Sequence, residues 1–404
     1  MNEEISLYIH IPFCISKCAY CDFFSRPEGK KNSINDKAII PDTYVSALCK
    51  EIQFRIEKHQ VKKLKTLYIG GGTPSLLTSE QFKTLFKQLK SYTELSLQTE
   101  ITVEVNPDDV NLKLLETLSD CGVNRISCGI QSMNDRALKT ACRRADSQIN
   151  KNALSLLHKY WKGQLSLDLI SGLPGDNEDT LLASLKEVCE INPEHVSLYS
   201  LTIEDETPFG KQLDSGALKY DFDQADRLWL KGCAFLESRA YKWYEVSNFC
   251  REGKECKHNL AYWTHSSYLG CGSGGTGSLY SAGGRGFRWT NTQNIEDYIN
   301  FWNDFSENKE LKLCDVQNEE EIDFETSRFE FFMMSLRKIR GFKLSEYKNI
   351  FSQELPGKFI EVFDRWEEKG LCKKQELLSD FSDTEYAMTE KGLLYLNRFL
   401  EELF

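Results

Sequence analysis

Cys14, Cys18 and Cys21 fall within eight residues of one another, in the stretch SLYIHIPFCISKCAYCDFFS (residues 6–25). Their spacing is C-x3-C-x2-C, and an aromatic, Tyr20, stands just before the last thiol. Cysteine serves as a small buried hydrophobe, as a disulfide or zinc ligand, and as an iron–sulfur ligand, so three readings compete. Structural zinc takes four closed ligands, commonly as paired C-x2-C or H-x3-H spacings. No further cysteine or histidine follows for 27 residues. His10 precedes the loop, but in the run LYIHI it is expected to point away at the period of a strand. A cubane cluster has four irons, so three thiolates leave one iron open to an exogenous ligand.

A loop of this kind needs a scaffold. Strand-like runs recur at 7–11, 66–70, 101–105, 125–130, 165–170 and 195–201, separated by amphipathic stretches such as 42–58, 78–90 and 178–190. Strands alternating with helices specify βαβ units and a parallel sheet. Six units make an open, partial (β/α)6 version of the TIM barrel, whose functional groups gather at the C-terminal ends of strands. Residues able to do chemistry fall there. GGGTP (70–74) ends the second run, where missing side chains let backbone N–H groups approach a ligand. Glu104 in VEVNP and Asp168 in LDLISGLPG are carboxylates inside apolar strands, costly to bury unless paired or liganded. Gln131 closes the fourth run, and Arg143, a fork able to hold a carboxylate in two bonds, follows twelve residues later. The glycines alone also fit a plain turn, and each polar residue alone reads equally well as a structural hydrogen-bonder.

Taken in this order after this cysteine loop, these residues resemble the radical S-adenosylmethionine superfamily. The resemblance implies that S-adenosylmethionine chelates the open iron of a 4Fe–4S cluster on Cys14, Cys18 and Cys21, and that one electron cleaves its sulfonium to a 5′-deoxyadenosyl radical. The positions are similar to those of the coproporphyrinogen-dehydrogenase-like branch, which implies cofactor-binding roles for Tyr8, Gly71, Gly72, Thr73, Glu104, Gln131, Arg143 and Asp168. By the same resemblance, the glycines meet the methionine amino end, Arg143 faces the carboxylate, and the two acids receive donors from the amino group or ribose. Porphyrinogen-decarboxylating members carry a further cysteine two residues after the third, where this chain has Phe23. The C-x3-C-x-Y-C-D-F form is instead similar to the HemW-type haem chaperones.

YEVSNFCREGKECKHNLAYW (244–263) adds that family's H-N-x-x-Y-W, and RWTN (288–291), FEFFMMSLRKIRGF (329–342) and MTEKGLLYLNRFLEELF (388–404) extend the match over nearly the whole chain. The resemblance implies haem as cargo, haem-acceptor proteins and a reductant such as flavodoxin or ferredoxin as partners, and S-adenosylmethionine cleavage without coproporphyrinogen oxidation. A radical enzyme acting on a tetrapyrrole or related substrate is the alternative. His258, Asn259, Tyr262 and Trp263 are the haem candidates: an imidazole for the iron and flat faces for the macrocycle. Without the family, such a cluster reads as a packed loop. Cys250, Cys256 and Cys271 match no closed metal site and read as free thiols. Two family histidines are absent, one replaced by Ala145 and one missing from GCGSGGTGS (270–278).

The 404 residues allow two or three domains. The expected divisions are a radical SAM core barrel at 1–221, a connecting region with H-N-x-x-Y-W and the glycine-rich segment at 222–310, and a smaller α+β, winged-helix-like domain at 311–404. Residues 222–240 read as a helix and 371–389 as a β-hairpin. The 50 basic and 61 acidic residues leave a net −11, which argues against a nucleic-acid partner held by broad charge. Residues 341–404 hold nine basic and thirteen acidic residues, so the winged-helix-like part is expected to act as a lid or docking domain. No run approaches the length of a membrane span. MNEEIS has no basic n-region and no apolar h-region, so no secretory leader is expected, and the fourteen cysteines are expected as reduced thiols in the cytoplasm.

Overall fold

The computed structural model describes residues 4–28, 39–305, 312–377 and 383–403. Six strands run parallel and side by side in chain order: β1 (Glu4–Ile11), β2 (Lys63–Gly71), β3 (Glu100–Val105), β4 (Arg125–Gln131), β5 (Gln164–Ser171) and β6 (His195–Ser200). Each is followed by a helix: α1 (Asp42–Lys58), α2 (Ser79–Tyr92), α3 (Leu112–Cys121), α4 (Ser147–Tyr160), α5 (Glu178–Glu190) and α6 (Phe222–Ser238). Five of the six helices start on a side-chain cap: Thr78, Asn111, Asp146, Asn177 and Asp221 each accept from a backbone N–H of the first turn. Alternation sorts the two faces of the strands. In β1, Leu7, Ile9 and Ile11 are fully buried in the main core, while Tyr8 and His10 project inward on the opposite face.

The sheet continues beyond the six expected strands at both edges. β7 (Lys242–Glu245) and β8 (Asn248–Cys250) add antiparallel to β6. At the other edge β9 (Tyr268–Cys271) lies parallel to β1, with Gly270 opposite Tyr8. Antiparallel β10 (Thr276–Tyr280), β11 (Gly286–Asn291) and β12 (Gln317–Ile322) follow, giving one twelve-stranded mixed sheet. Residues 222–310 thus contribute five strands to that sheet. In β9, β10 and β11 glycines hid the strand signal while making the packing feasible. A Cβ on Gly270 would lie 1.9 Å from the Thr276 carbonyl oxygen, and one on Gly277 would lie 2.2 Å from the Trp289 ring.

A buried ion pair ties α1 to the added strands. Arg55 and Glu51 are 1% and 0% exposed and 3.0 Å apart. Glu51 also accepts from the Gly272 N–H (2.8 Å), the Tyr298 hydroxyl (2.7 Å) and the Asn291 amide (2.8 Å). Arg55 donates to Gln317 at the start of β12 and lies 4.4 Å over the Trp289 ring. With every partner supplied, the pair is tolerated in the interior.

Helix α7 (Lys257–Trp263) plugs the N-terminal end of the barrel. The Glu100 carboxylate, at the first residue of β3, accepts from the Lys257 and His258 N–H groups at 3.0 and 2.9 Å, capping the positive end of the helix. The C-terminal part is winged-helix-like, as expected. Helix Phe324–Ser335 precedes a three-stranded antiparallel sheet in which Asp383–Met388 lies between Phe342–Lys343 and Cys372–Leu377, with helices Leu344–Phe351 and Gly357–Glu368 packed on it. The tip of the expected hairpin and the 310–311 boundary lie outside the described residues. Phe331, Phe332, Phe342 and Phe359 join the main core. Among the described residues, no helix is long and apolar enough to cross a membrane.

Candidate functional site

The loop between β1 and α1 carries all three cysteines to the C-terminal end of the barrel. Backbone bonds pin it on two sides: Arg26 N–H to Pro12 O (2.8 Å) and Ala19 N–H to Ala141 O (3.0 Å). The His10 ring anchors its far end. His10 Nε2–H donates to the Phe24 carbonyl at 2.9 Å, and Nδ1 accepts from the Tyr8 hydroxyl at 2.8 Å. His10 therefore does not point away from the loop, as the strand period suggested. The loop folds back over the barrel mouth to meet the inward face of β1.

A cavity of about 510 Å³ opens beside the cysteines. Cys14, Cys18, Cys21, Gly71, Gly72, Thr73, Glu104, Gln131, Arg143 and Asp168 all line it. Tyr8 does not; it supports the loop through His10. The glycine turn is dictated by packing as well as by access. Gly71 has φ +111°, a Cβ there would sit 2.6 Å from the His10 ring, and one on Gly72 would sit 2.6 Å from the Phe13 carbonyl oxygen. Gln131 adopts the left-handed φ of +65° at an irregularity in the β4–β5 ladder, a strained conformation for a non-glycine residue at the cavity wall.

The donor set fits an iron–sulfur cluster. Three soft sulfurs come from one loop, with the Thr73 hydroxyl 3.4 Å from Cys14 Sγ and Arg143 Nη1 3.5 Å from Cys18 Sγ. Among the described residues, no three His, Cys, Asp or Glu side chains are grouped to hold a single metal ion, as a lone zinc requires. Arg143 is held by Gly129 O (2.7 Å) and Asn106 Oδ1 (3.1 Å), while its Nε is buried without a partner, an orphan donor suited to a ligand carboxylate.

The two acids differ in environment. Glu104 accepts from the Tyr68 hydroxyl (2.8 Å) and the Gly71 N–H (3.2 Å). Burial pushes its carboxyl up to about 7 against those bonds, and the charge of Asp168 adds to the rise. Asp168 is also raised by burial, opposed by the hydroxyls of Ser127 (2.7 Å), Ser197 (2.7 Å) and Ser166 (3.1 Å). Asn106 and these serines were not singled out from the sequence. Their signal was parity, since each serine occupies the inward-facing register of β4, β5 or β6.

The H-N-x-x-Y-W element is placed elsewhere, on α7 at the other end of the barrel. His258 is 1% exposed inside the plug. Nδ1 lies 2.7 Å from the Thr66 hydroxyl and Nε2 lies 2.9 Å from the Tyr262 hydroxyl, so both nitrogens are engaged. Its ring stacks on Tyr68 at 5.0 Å, and burial pushes its pKa down to about 3. Trp263 lies under the Arg337 guanidinium, and Asn259 is half-buried on the same helix. Cys250, Cys256 and Cys271 are buried free thiols, each raised by burial.

Residues 8–188 match the family model of the Radical SAM superfamily. The chain is 33% identical over 402 residues to the heme chaperone HemW of Escherichia coli (strain K12), covering 98% of this chain and 97% of that protein. It is 32% identical over 408 residues to heme chaperone HemW of Haemophilus influenzae, with the same coverage, and 33% identical over 379 residues to that of Bacillus subtilis (strain 168), covering 92% of this chain and 93% of the relative. The chain belongs to the HemW family. Coproporphyrinogen III oxidase (HemN) from Escherichia coli, a radical SAM enzyme, superposes with a TM-score of 0.78 over 100% of this chain and 91% of its own, at 20% identity. That likeness shows the shared fold. The expected α/β radical SAM barrel with its appended smaller domain is therefore the architecture of this HemW family member.

Proposed function

We propose that this HemW family member is a haem chaperone that holds a 4Fe–4S cluster on Cys14, Cys18 and Cys21, binds S-adenosylmethionine in the adjoining cavity, and delivers haem to acceptor proteins. The observation that carries the cofactor reading is that one cavity gathers the three thiols, the glycine turn, two buried acids and an arginine with an orphan Nε. The haem reading rests on the family and on the names of its full-length relatives. When bound, the cluster supplies the electron that cleaves the sulfonium of S-adenosylmethionine.

The chain's own residues bind and orient. Thr73 and Arg143 hold two of the cysteine sulfurs by hydrogen bonds, and Arg143 offers Nε–H to the methionine carboxylate. Glu104 and Asp168 receive donors from the amino group or ribose, and Gly71 and Gly72 leave room for that approach. Phe23, 70% exposed at the cavity wall, stands where decarboxylating relatives carry a further cysteine, which favours a chaperone over an oxidase. A flavodoxin- or ferredoxin-like reductant, haem-acceptor proteins and a cytoplasmic setting complete the reading.

Anaerobic reconstitution tests it. The wild type is expected to show cluster absorbance and a reduced-state paramagnetic signal, to bind haem, and to leave coproporphyrinogen unconverted. Replacing all three cysteines with Ala is expected to abolish the cluster signals. A full cluster in that variant would falsify the ligand assignment, and robust porphyrinogen decarboxylation by the wild type overturns the chaperone reading in favour of a radical enzyme.

A further inference from the structure

Asn106 stands directly after β3, at the C-terminal end of the barrel, and lines the cysteine cavity. Its backbone is pinned. Pro107 follows it and favours the extended conformation found there, with φ −90° and ψ 145°. The Asn106 N–H donates to Ser75 Oγ at 3.3 Å, and its carbonyl accepts from the Asp109 N–H at 3.0 Å. Ser75 is itself tied to Asp109 at 2.8 Å. With the main chain fixed at both ends, the side chain is aimed between Thr73, which follows β2, and Arg143, which follows β4.

Both ends of the amide are used. Arg143 Nη2 donates to Asn106 Oδ1 at 3.1 Å, and Asn106 Nδ2 donates to Thr73 Oγ1 at 3.2 Å. A guanidinium has donors and no acceptor, so the amide oxygen must face Arg143 and the NH2 must face Thr73. The amide then occupies a lone pair of Thr73 Oγ1 and leaves its single proton for Cys14 Sγ, 3.4 Å away. Thr73 is 3% exposed, so bulk water does not compete for that proton. At the other end, Arg143 Nη1 donates to Cys18 Sγ at 3.5 Å. Cys18, Arg143, Asn106, Thr73 and Cys14 therefore form a one-way chain of donors that begins and ends on cysteine sulfurs.

We propose that Asn106 is a positioning residue for the iron–sulfur cluster: through Thr73 and Arg143 it directs hydrogen bonds onto Cys14 and Cys18, and so raises the potential at which the cluster accepts an electron. The proposal rests on the cofactor reading above. Hydrogen bonds to the ligand sulfurs are one of the protein's levers on cluster potential. Reduction adds negative charge that the sulfurs share, so donors aimed at them favour the reduced state. Asn106→Asp keeps the shape and reverses the chain. The carboxylate accepts the Thr73 proton, withdrawing it from Cys14, and places a negative charge beside Arg143. Asn106→Leu removes both links without adding charge.

Redox titration of the anaerobically reconstituted full-length protein, followed by the reduced-state paramagnetic signal, tests this. Both variants are expected to hold as much iron as the wild type and to have lower midpoint potentials. The Asp variant is expected to fall furthest, by at least about 59 mV, which is tenfold in a one-electron equilibrium. Asn106→Leu keeps the test open should the Asp variant fail to take up the cluster. Thr73→Val deletes the proton to Cys14 directly, so the Asn106→Asp shift is expected to be smaller in that background. A full-sized shift there overturns action through Thr73. Potentials unmoved in both Asn106 variants overturn the positioning role and leave the cofactor reading standing. A wild type that takes up no cluster removes the cofactor reading and this role together.

Discussion

Glu104 is a carboxyl raised to about 7 by burial in a cavity expected to receive a cationic amino group. Its charged form is the better partner, so S-adenosylmethionine affinity is expected to rise as the pH climbs through about 7. Glu104→Gln is expected to flatten that profile and to weaken binding about tenfold or more, the loss for a hydrogen bond to a charged group being roughly 1.5–3 kcal/mol. Calorimetry across this pH range, with iron content held constant, checks both; a wild-type profile as flat as the variant's removes Glu104 as a contact. The same shift acts on stability with the opposite sign. Because the folded state holds this proton more tightly than the unfolded state does, Glu104 alone lowers stability as the pH rises from 4.5 to about 7. His258 makes the complementary case. With two buried hydrogen bonds and a stacked ring to lose, His258→Ala is expected to destabilise the fold by about 2–4 kcal/mol while leaving the haem band in place. Denaturant melts and haem spectra on one preparation separate the two effects.

At the scale of elements, the six strands were legible because each is an apolar run bounded by turn or cap residues, and five caps drawn from Thr, Asn and Asp mark where their helices begin. β9 to β12 were not legible. Glycine at 270, 272, 274, 275 and 277 lowers strand propensity, and β12 reads QNEEEI, with four exposed residues between buried ends. What attaches these strands to the barrel includes the Glu51–Arg55 pair. Arg55→Ala would leave Glu51 buried with no positive partner, so a loss of about 3–5 kcal/mol is expected. Urea unfolding checks this; a change under 1 kcal/mol would show that the hydrogen bonds from Gly272, Tyr298 and Asn291 suffice on their own.

Across the whole molecule, the barrel presents two cavities at opposite ends, with α7 plugging the end away from the cysteines. One is lined by the thiols and the acids, the other mostly by polar residues, with His265, Lys65 and Lys257 among them.

The cysteine loop, the glycine turn, the two acids, Gln131 and Arg143 were all found by type and spacing, because a ligand-bearing loop and charged residues inside apolar strands are local features that a linear pattern records. The alternation of strand and helix determined the barrel for the same reason, and the closing hairpin determined the winged-helix-like part. Whether a side chain is open or sealed is not local. His258 sits in the H-N-x-x-Y-W motif, yet it is sealed by Thr66, 192 residues earlier in the chain, and by Tyr262. His265 carries no motif and stands at a cavity, because Ser327 and Tyr280 orient its ring and the left-handed turn after α7 brings it there. Residue type is written in the chain. The partners that occupy a nitrogen, or leave it free, come from distant segments, and only the folded chain brings them within hydrogen-bonding distance.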